Sequence, residues 1–181
     1  SAYSQAPGQW AQRQMTLKTL DDCVAILDDY LDARGWHDTV IIVTGDQGVH
    51  YGEHGVWKHG NNTYFGKGTA YEVAAKPALF IRCNRWAPGI VNRQLTMQAD
   101  LGLTVLDFFG LTSHAAHTNR DGQSIQRTFD ASNPYPNRAQ YLVHDYPFHG
   151  LFDAMIDADG WKWIEAVTDG AFSVPEALYN V

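Results

Sequence analysis

The chain has 181 residues, 45% of them apolar and 18% charged, a composition that is globular rather than disordered. Thirteen basic residues against 20 acidic ones give a formal charge of −7. That balance argues against a general nucleic-acid binder, and no apolar run approaches the roughly 20 residues of a membrane span. An anionic substrate would have to be held locally, by a metal ion or a few placed cations. Cys23 and Cys83 could form one bridge at most, which leaves the redox compartment open.

The first residues are polar and turn-prone, with Pro7 and Gly8 and no charged-then-apolar leader pattern. Leu17, Leu20, Val24, Leu27 and Leu31 then recur at steps of three and four. That spacing predicts a helix with one apolar stripe, stopped at Gly35. The run from Thr39 to Thr44 is apolar and β-branched throughout its centre. It reads as a strand buried on both faces, as in a parallel sheet.

Residues 45–68 are rich in Gly, His and Asn and read as a long functional loop. It opens with Asp46-Gln47-Gly48, directly after the predicted strand. In open α/β sheets ligands bind beyond the carboxyl ends of strands. The Asp46 carboxylate and the Gln47 amide oxygen are hard donors, suited to Ca²⁺ or Mg²⁺ rather than zinc. The plainer alternative is an Asp capping a turn before Gly48.

His50-Tyr51-Gly52-Glu53-His54 has the spelling of a zinc-protease motif, but that chemistry needs a helix, and Gly48, Gly52 and Gly55 oppose one. Lys58 and Lys67 are the cations of the loop. Lys67 is followed by Gly68 rather than Ser or Thr, and Gly60 stands one place too early, so the segment is no nucleotide loop. Asn61-Asn62-Thr63 has the form of a glycosylation sequon. His114 and His117 lie in a polar loop and read as surface residues.

Ala78 to Arg82 is a second short strand, with Pro77 at its entry. Leu101, Val105, Phe108 and Phe109 predict a helix ending at Gly110. Tyr141 to His144 reads as a strand. The segments at Ala154-Met155-Ile156 and Trp161-Lys162-Trp163-Ile164 flank an Asp-Ala-Asp-Gly turn and predict an antiparallel hairpin. Helix, buried strand, loop, strand and helix follow α/β logic. A free-standing parallel sheet would need more strands than the first half supplies.

In order and spacing, Asp46-Gln47-Gly48, Gly52-Glu53-His54-Gly55 and Gly66-Lys67-Gly68-Thr69 with Tyr71-Glu72 resemble the second half of the sulfatase family, within the alkaline-phosphatase superfamily. The resemblance extends to the helix from Leu20 to Leu31 and the strand from Pro77 to Arg82. It continues through Asp100 to Leu111 (the family's "DLxxTxLDxxGL"), Asp121 to Ile125 ("DGxSL"), Trp161 to Trp163, and Leu178 to Val181.

It implies an incomplete alkaline-phosphatase-like fold. Residues 1–130 would be the C-terminal part of the α/β catalytic domain, a partial and mostly parallel sheet with flanking helices. Residues 131–181 would form a small antiparallel subdomain. Asp46 and Gln47 would be metal ligands for Ca²⁺ (or Mg²⁺). Lys67 would contact a sulfate oxygen and the charge developing on the leaving oxygen, with Lys58 as its rival in a loop longer than usual.

Family members cleave sulfate esters with a formylglycine made from Cys or Ser in C/S-x-P-x-R. Neither Cys23 nor Cys83 stands in that motif, and Ser132-Asn133-Pro134-Tyr135-Pro136 lacks its Arg. The expectation is a C-terminal fragment whose missing N-terminal half supplies the formylglycine, and which alone is inactive. A phosphodiesterase or phosphonate monoester hydrolase of the same superfamily, or an inactive remnant, are the alternatives. Relatives are periplasmic, secreted or lysosomal; the sequence shows no signal that would choose.

Overall fold

In the computed structural model, which describes residues 7–49, 70–111, 121–129, 140–146, 150–166 and 177–180, the first element is the helix that the leucine spacing predicts. Helix α1 runs Pro7–Ala33. Its stop is the predicted one. Beyond Arg34 the Gly35 N–H bonds the Asp32 carbonyl at 2.9 Å, and the Trp36 N–H bonds the Leu31 carbonyl at 3.0 Å. This pair of bonds satisfies two carbonyls that a helix end would leave open. The Arg34 guanidinium lies over the Tyr30 ring, 4.8 Å from its centroid.

The chain divides into two units, residues 1–89 and 90–181. In the first unit, strand β1 (Ile41–Thr44) is followed by the short helix α2 (Glu72–Ala75) and strand β2 (Leu79–Arg82).

The parallel sheet expected around β1 is corrected here. β1 pairs antiparallel with β2, from Ile41 opposite Arg82 to Thr44 opposite Leu79. Every strand pairing among the described residues is antiparallel. Ile41, Ile42 and Val43 are half-buried rather than enclosed, and Thr44 is exposed. A short β-branched run reads the same in a parallel core strand and in a strand with one antiparallel neighbour, so pattern alone does not separate them.

Arg82, the last residue of β2, ties the sheet to α1. Its Nε lies 2.8 Å from Asp28 Oδ1 and its NH2 lies 3.2 Å from Asp32 Oδ1. Leu31 of the α1 stripe is buried, at 6% exposure, whereas Leu17 (54%) and Leu20 (50%) are not. Ile26 on α1 and Phe80 on β2 are 69% and 67% exposed.

The second unit begins with helix α3 (Gln98–Phe108), ended at Gly110 by the same bond pair as α1. A 3-10 helix, Ile125–Phe129, lies against α3. Then come β3 (Gln140–Tyr146), β4 (Gly150–Ile156), β5 (Trp161–Ala166) and β6 (Ala177–Asn180), in that order across one antiparallel sheet. The predicted hairpin is β4–β5. Asp157 shapes its turn: Oδ1 accepts from the N–H groups of Asp159 (2.9 Å) and Trp161 (2.8 Å). Burial alternates along β5 with the period of a half-covered sheet. Lys162 and Ile164 are buried with Ala154 and Ile156 of β4, while Trp161, Trp163 and Glu165 are exposed.

The fold is therefore a mixed α/β arrangement with small antiparallel sheets.

Candidate functional site

The turn Asp46-Gln47-Gly48 leaves β1 one residue after Thr44, and three bonds to the segment that leads into β2 hold it. On one side the Thr44 hydroxyl and the Gly45 N–H donate to the Ala78 carbonyl, at 3.0 and 3.4 Å. On the other the Gly48 N–H donates to the Ala74 carbonyl of α2 at 2.7 Å. Asp46 and Gln47 are the two residues between these anchor points, and both are exposed.

Gly48 is glycine for a steric reason. A Cβ built on it would stand 1.9 Å from the Val73 carbonyl oxygen, 2.8 Å from the Val73 carbonyl carbon and 3.0 Å from the Ala74 Cα. All three are backbone atoms, and no rotamer change could clear them. Helix α2 is itself fixed: Ala70, Tyr71 and Ala74 are buried, and the N–H groups of Ala74 and Ala75 bond the Tyr71 carbonyl at 2.9 and 2.8 Å. Burial pushes the Tyr71 phenol above its ordinary value, so it stays protonated at neutral pH.

Asp46 and Gln47 are thus consecutive, exposed residues of one anchored turn. Two adjacent oxygen donors suit a hard divalent cation but are a minority of the six to eight that Ca²⁺ takes, roughly. Among the described residues no group of three or more His, Cys, Asp or Glu is placed to hold a metal. The other site candidates, Lys58 and Lys67, lie outside the described residues, as do His50 to His54, His114 and His117. Reading the sequence alone missed the part α2 plays. The only local signal was a glycine immediately after two candidate ligands.

Of the possible nucleophiles, Cys23 is exposed on α1 and Cys83 is buried just beyond β2. Neither adjoins the turn in sequence.

The second unit explains two motifs that resemblance alone singled out. Asp100, fully buried, accepts from the Met97 N–H at 2.7 Å and the Gln123 N–H at 2.8 Å. Thr104 donates to the Asp100 carbonyl (2.7 Å) and accepts from the Ile125 N–H (2.9 Å). The Ser124 hydroxyl donates to Asp107 Oδ2 at 2.5 Å. Gly122 lets the segment close in, since a Cβ there would stand 2.2 Å from the Ala99 carbonyl oxygen. These groups satisfy one another and serve packing rather than chemistry.

No family profile matches the chain. It is 28% identical over 138 residues to an N-acetylglucosamine-6-O-sulfatase of Bacteroides thetaiotaomicron, covering 73% of this chain and 23% of that protein. Its fold is similar to that of the phosphonate monoester hydrolase SpPMH from Silicibacter pomeroyi, with a TM-score of 0.64 at 24% identity, covering 88% of this chain and 32% of that one. The chain is thus similar in sequence to part of a sulfatase and in fold to part of a phosphonate monoester hydrolase. It spans about a quarter of the sulfatase and a third of the phosphonate hydrolase. No helix among the described residues is long and apolar enough to cross a membrane.

Proposed function

We propose that the chain is the second-half portion of a sulfatase-like ester hydrolase, with the Asp46-Gln47 turn supplying two of the oxygen ligands of a Ca²⁺ (or Mg²⁺) ion. The single observation that carries this reading is the turn itself: an acid and an amide, both exposed, at the carboxyl end of β1 and anchored on each side. The sequence match to a sulfatase supports the reaction class. A cation held there would polarise a sulfate oxygen and the nucleophile.

Lys67 is the chosen substrate contact. It precedes buried Ala70 by three residues, a tether of at most about 11 Å between Cα atoms. Lys58 is nine residues from Val49 and twelve from Ala70, so neither end of the described backbone confines it to the turn. A Lys67 ammonium beside the scissile bond would bind a sulfate oxygen and stabilise the leaving oxygen.

The remaining ligands and the formylglycine would come from the rest of a longer polypeptide. That partner is supported by the apolar surface of the first unit, where Leu17, Leu20, Ile26 and Phe80 are exposed. A helix draws most of its stability from packing its apolar face, and a covering surface would supply that packing here.

The fold likeness to a phosphonate monoester hydrolase favours a second reading, in which the bond cleaved is a phosphonate or phosphate ester. The nucleophile separates the two. A full-length coding sequence with C/S-x-P-x-R, and turnover of an aryl sulfate faster than of an aryl phosphonate, supports the sulfatase. A bare Thr or Ser at that place with the opposite preference overturns it.

A further inference from the structure

We infer that Gly48 is a positioning residue for the proposed metal ligands. Its missing side chain lets the α2 backbone close on the turn, and that closure fixes where the Asp46 and Gln47 oxygens stand. The inference rests on the metal reading above. Two facts set Gly48 apart from an ordinary turn glycine. Its N–H is committed to the Ala74 carbonyl at 2.7 Å, and the space a Cβ would need is filled by the Val73 and Ala74 backbone.

Gly45, at the other anchor, is different. A Cβ there would meet the Gln47 carbonyl oxygen at 3.3 Å and the Pro77 Cβ at 3.4 Å, which asks a shift of a few tenths of an ångström at Gln47 rather than the parting of two backbones. Any side chain at 48 must part the turn from α2, break the bond to Ala74 and swing both ligands. A side chain at 45 need not. The arrangement resembles outer partners of metal sites in general, which never touch the ion yet set its ligands.

The test compares the longer polypeptide, which carries the remaining ligands, with its Gly48→Ala, Gly45→Ala and Asp46→Ala variants. Each is titrated with Ca²⁺ while the Asp46 and Gln47 amide resonances are followed, and hydrogen exchange at residue 48 is measured without metal. The expected result is a protected Gly48 amide and saturable binding by the wild type. Gly48→Ala should weaken that binding by about 10- to 100-fold. It should do so with α1 amides and far-UV dichroism unchanged, and Gly45→Ala should weaken binding less than Gly48→Ala does.

Exchange of the Gly48 amide at the free-chain rate overturns the closure whatever the metal does. Wild-type affinity in Gly48→Ala, with binding lost in Asp46→Ala, overturns the positioning role and leaves the metal reading standing. Absence of binding by the wild type, or binding that survives Asp46→Ala, overturns the metal reading and the inference with it.

Discussion

Asp100 and Gln123 lie 23 residues apart, and a single bond joins them: the Gln123 N–H donates to the fully buried Asp100 carboxylate at 2.8 Å. The other carboxylate oxygen accepts the Met97 N–H, so one side chain caps the start of α3 and docks the segment that leads to the 3-10 helix.

Asp100→Ala should therefore cost about 2–4 kcal/mol, because two N–H donors lose their acceptor and one of them is a helix cap. Asp100→Asn retains one acceptor oxygen and should lose less. Urea unfolding, followed through tryptophan fluorescence of the second unit, checks both. A loss below about 0.5 kcal/mol for the alanine variant would show that water takes over both bonds.

Arg82 makes the opposite case. Its ion pairs with Asp28 and Asp32 join sheet to helix, but all three groups are a third to a half exposed. The 2.8 Å contact with Asp28 also lacks the alignment of a directed hydrogen bond. Arg82→Ala should cost less than about 1 kcal/mol, and 1 M salt should shrink the difference. A salt-independent loss of several kcal/mol would mean the guanidinium acts by packing.

Tyr71 gives a pH signature at the base of the loop. Its folded value is raised above the ordinary 10.0 by burial. The folded state then holds the proton more tightly than the unfolded state. Its contribution to stability is fully present below about 10 and is lost as pH climbs through the folded value. Tyr71→Phe should flatten the alkaline fall in melting temperature relative to wild type. Identical alkaline profiles would count against a desolvated phenol.

On the proposed function, the chain alone should not hydrolyse an aryl sulfate, since it carries no C/S-x-P-x-R nucleophile. In the longer polypeptide Lys67→Ala should lower kcat by about 10²- to 10³-fold, the scale of losing one charge-stabilising donor. Lys58→Ala should leave kcat near wild type. If Lys58→Ala gives the larger loss, the roles of the two lysines are exchanged.

Local signals in the sequence carried the elements they could reach. The leucine steps and Gly35 place the body of α1 and its end, though not its start at Pro7 in a stretch read as turn-prone; Gly110 ends α3, and Asp-Ala-Asp-Gly announces the β4–β5 hairpin, because each is set within a few residues. The pairing of β1 was misread because a four-residue apolar strand says nothing of its neighbour's direction, and that neighbour, β2, begins only after 34 intervening residues. The α1 stripe was visible as a stripe, but not what covers it. Asp46 and Gln47 were singled out from chemistry and position after a strand. The Gly48–Ala74 contact was not, since no periodicity links a turn to a helix across a loop of that length.

The most direct measurement is a calorimetric Ca²⁺ titration of the longer polypeptide, which carries the remaining ligands, beside its Asp46→Ala variant at matched ionic strength. The account predicts saturable binding to the wild type that Asp46→Ala abolishes with no change in the far-UV spectrum. Equal heats from both proteins, or none from either, would contradict it.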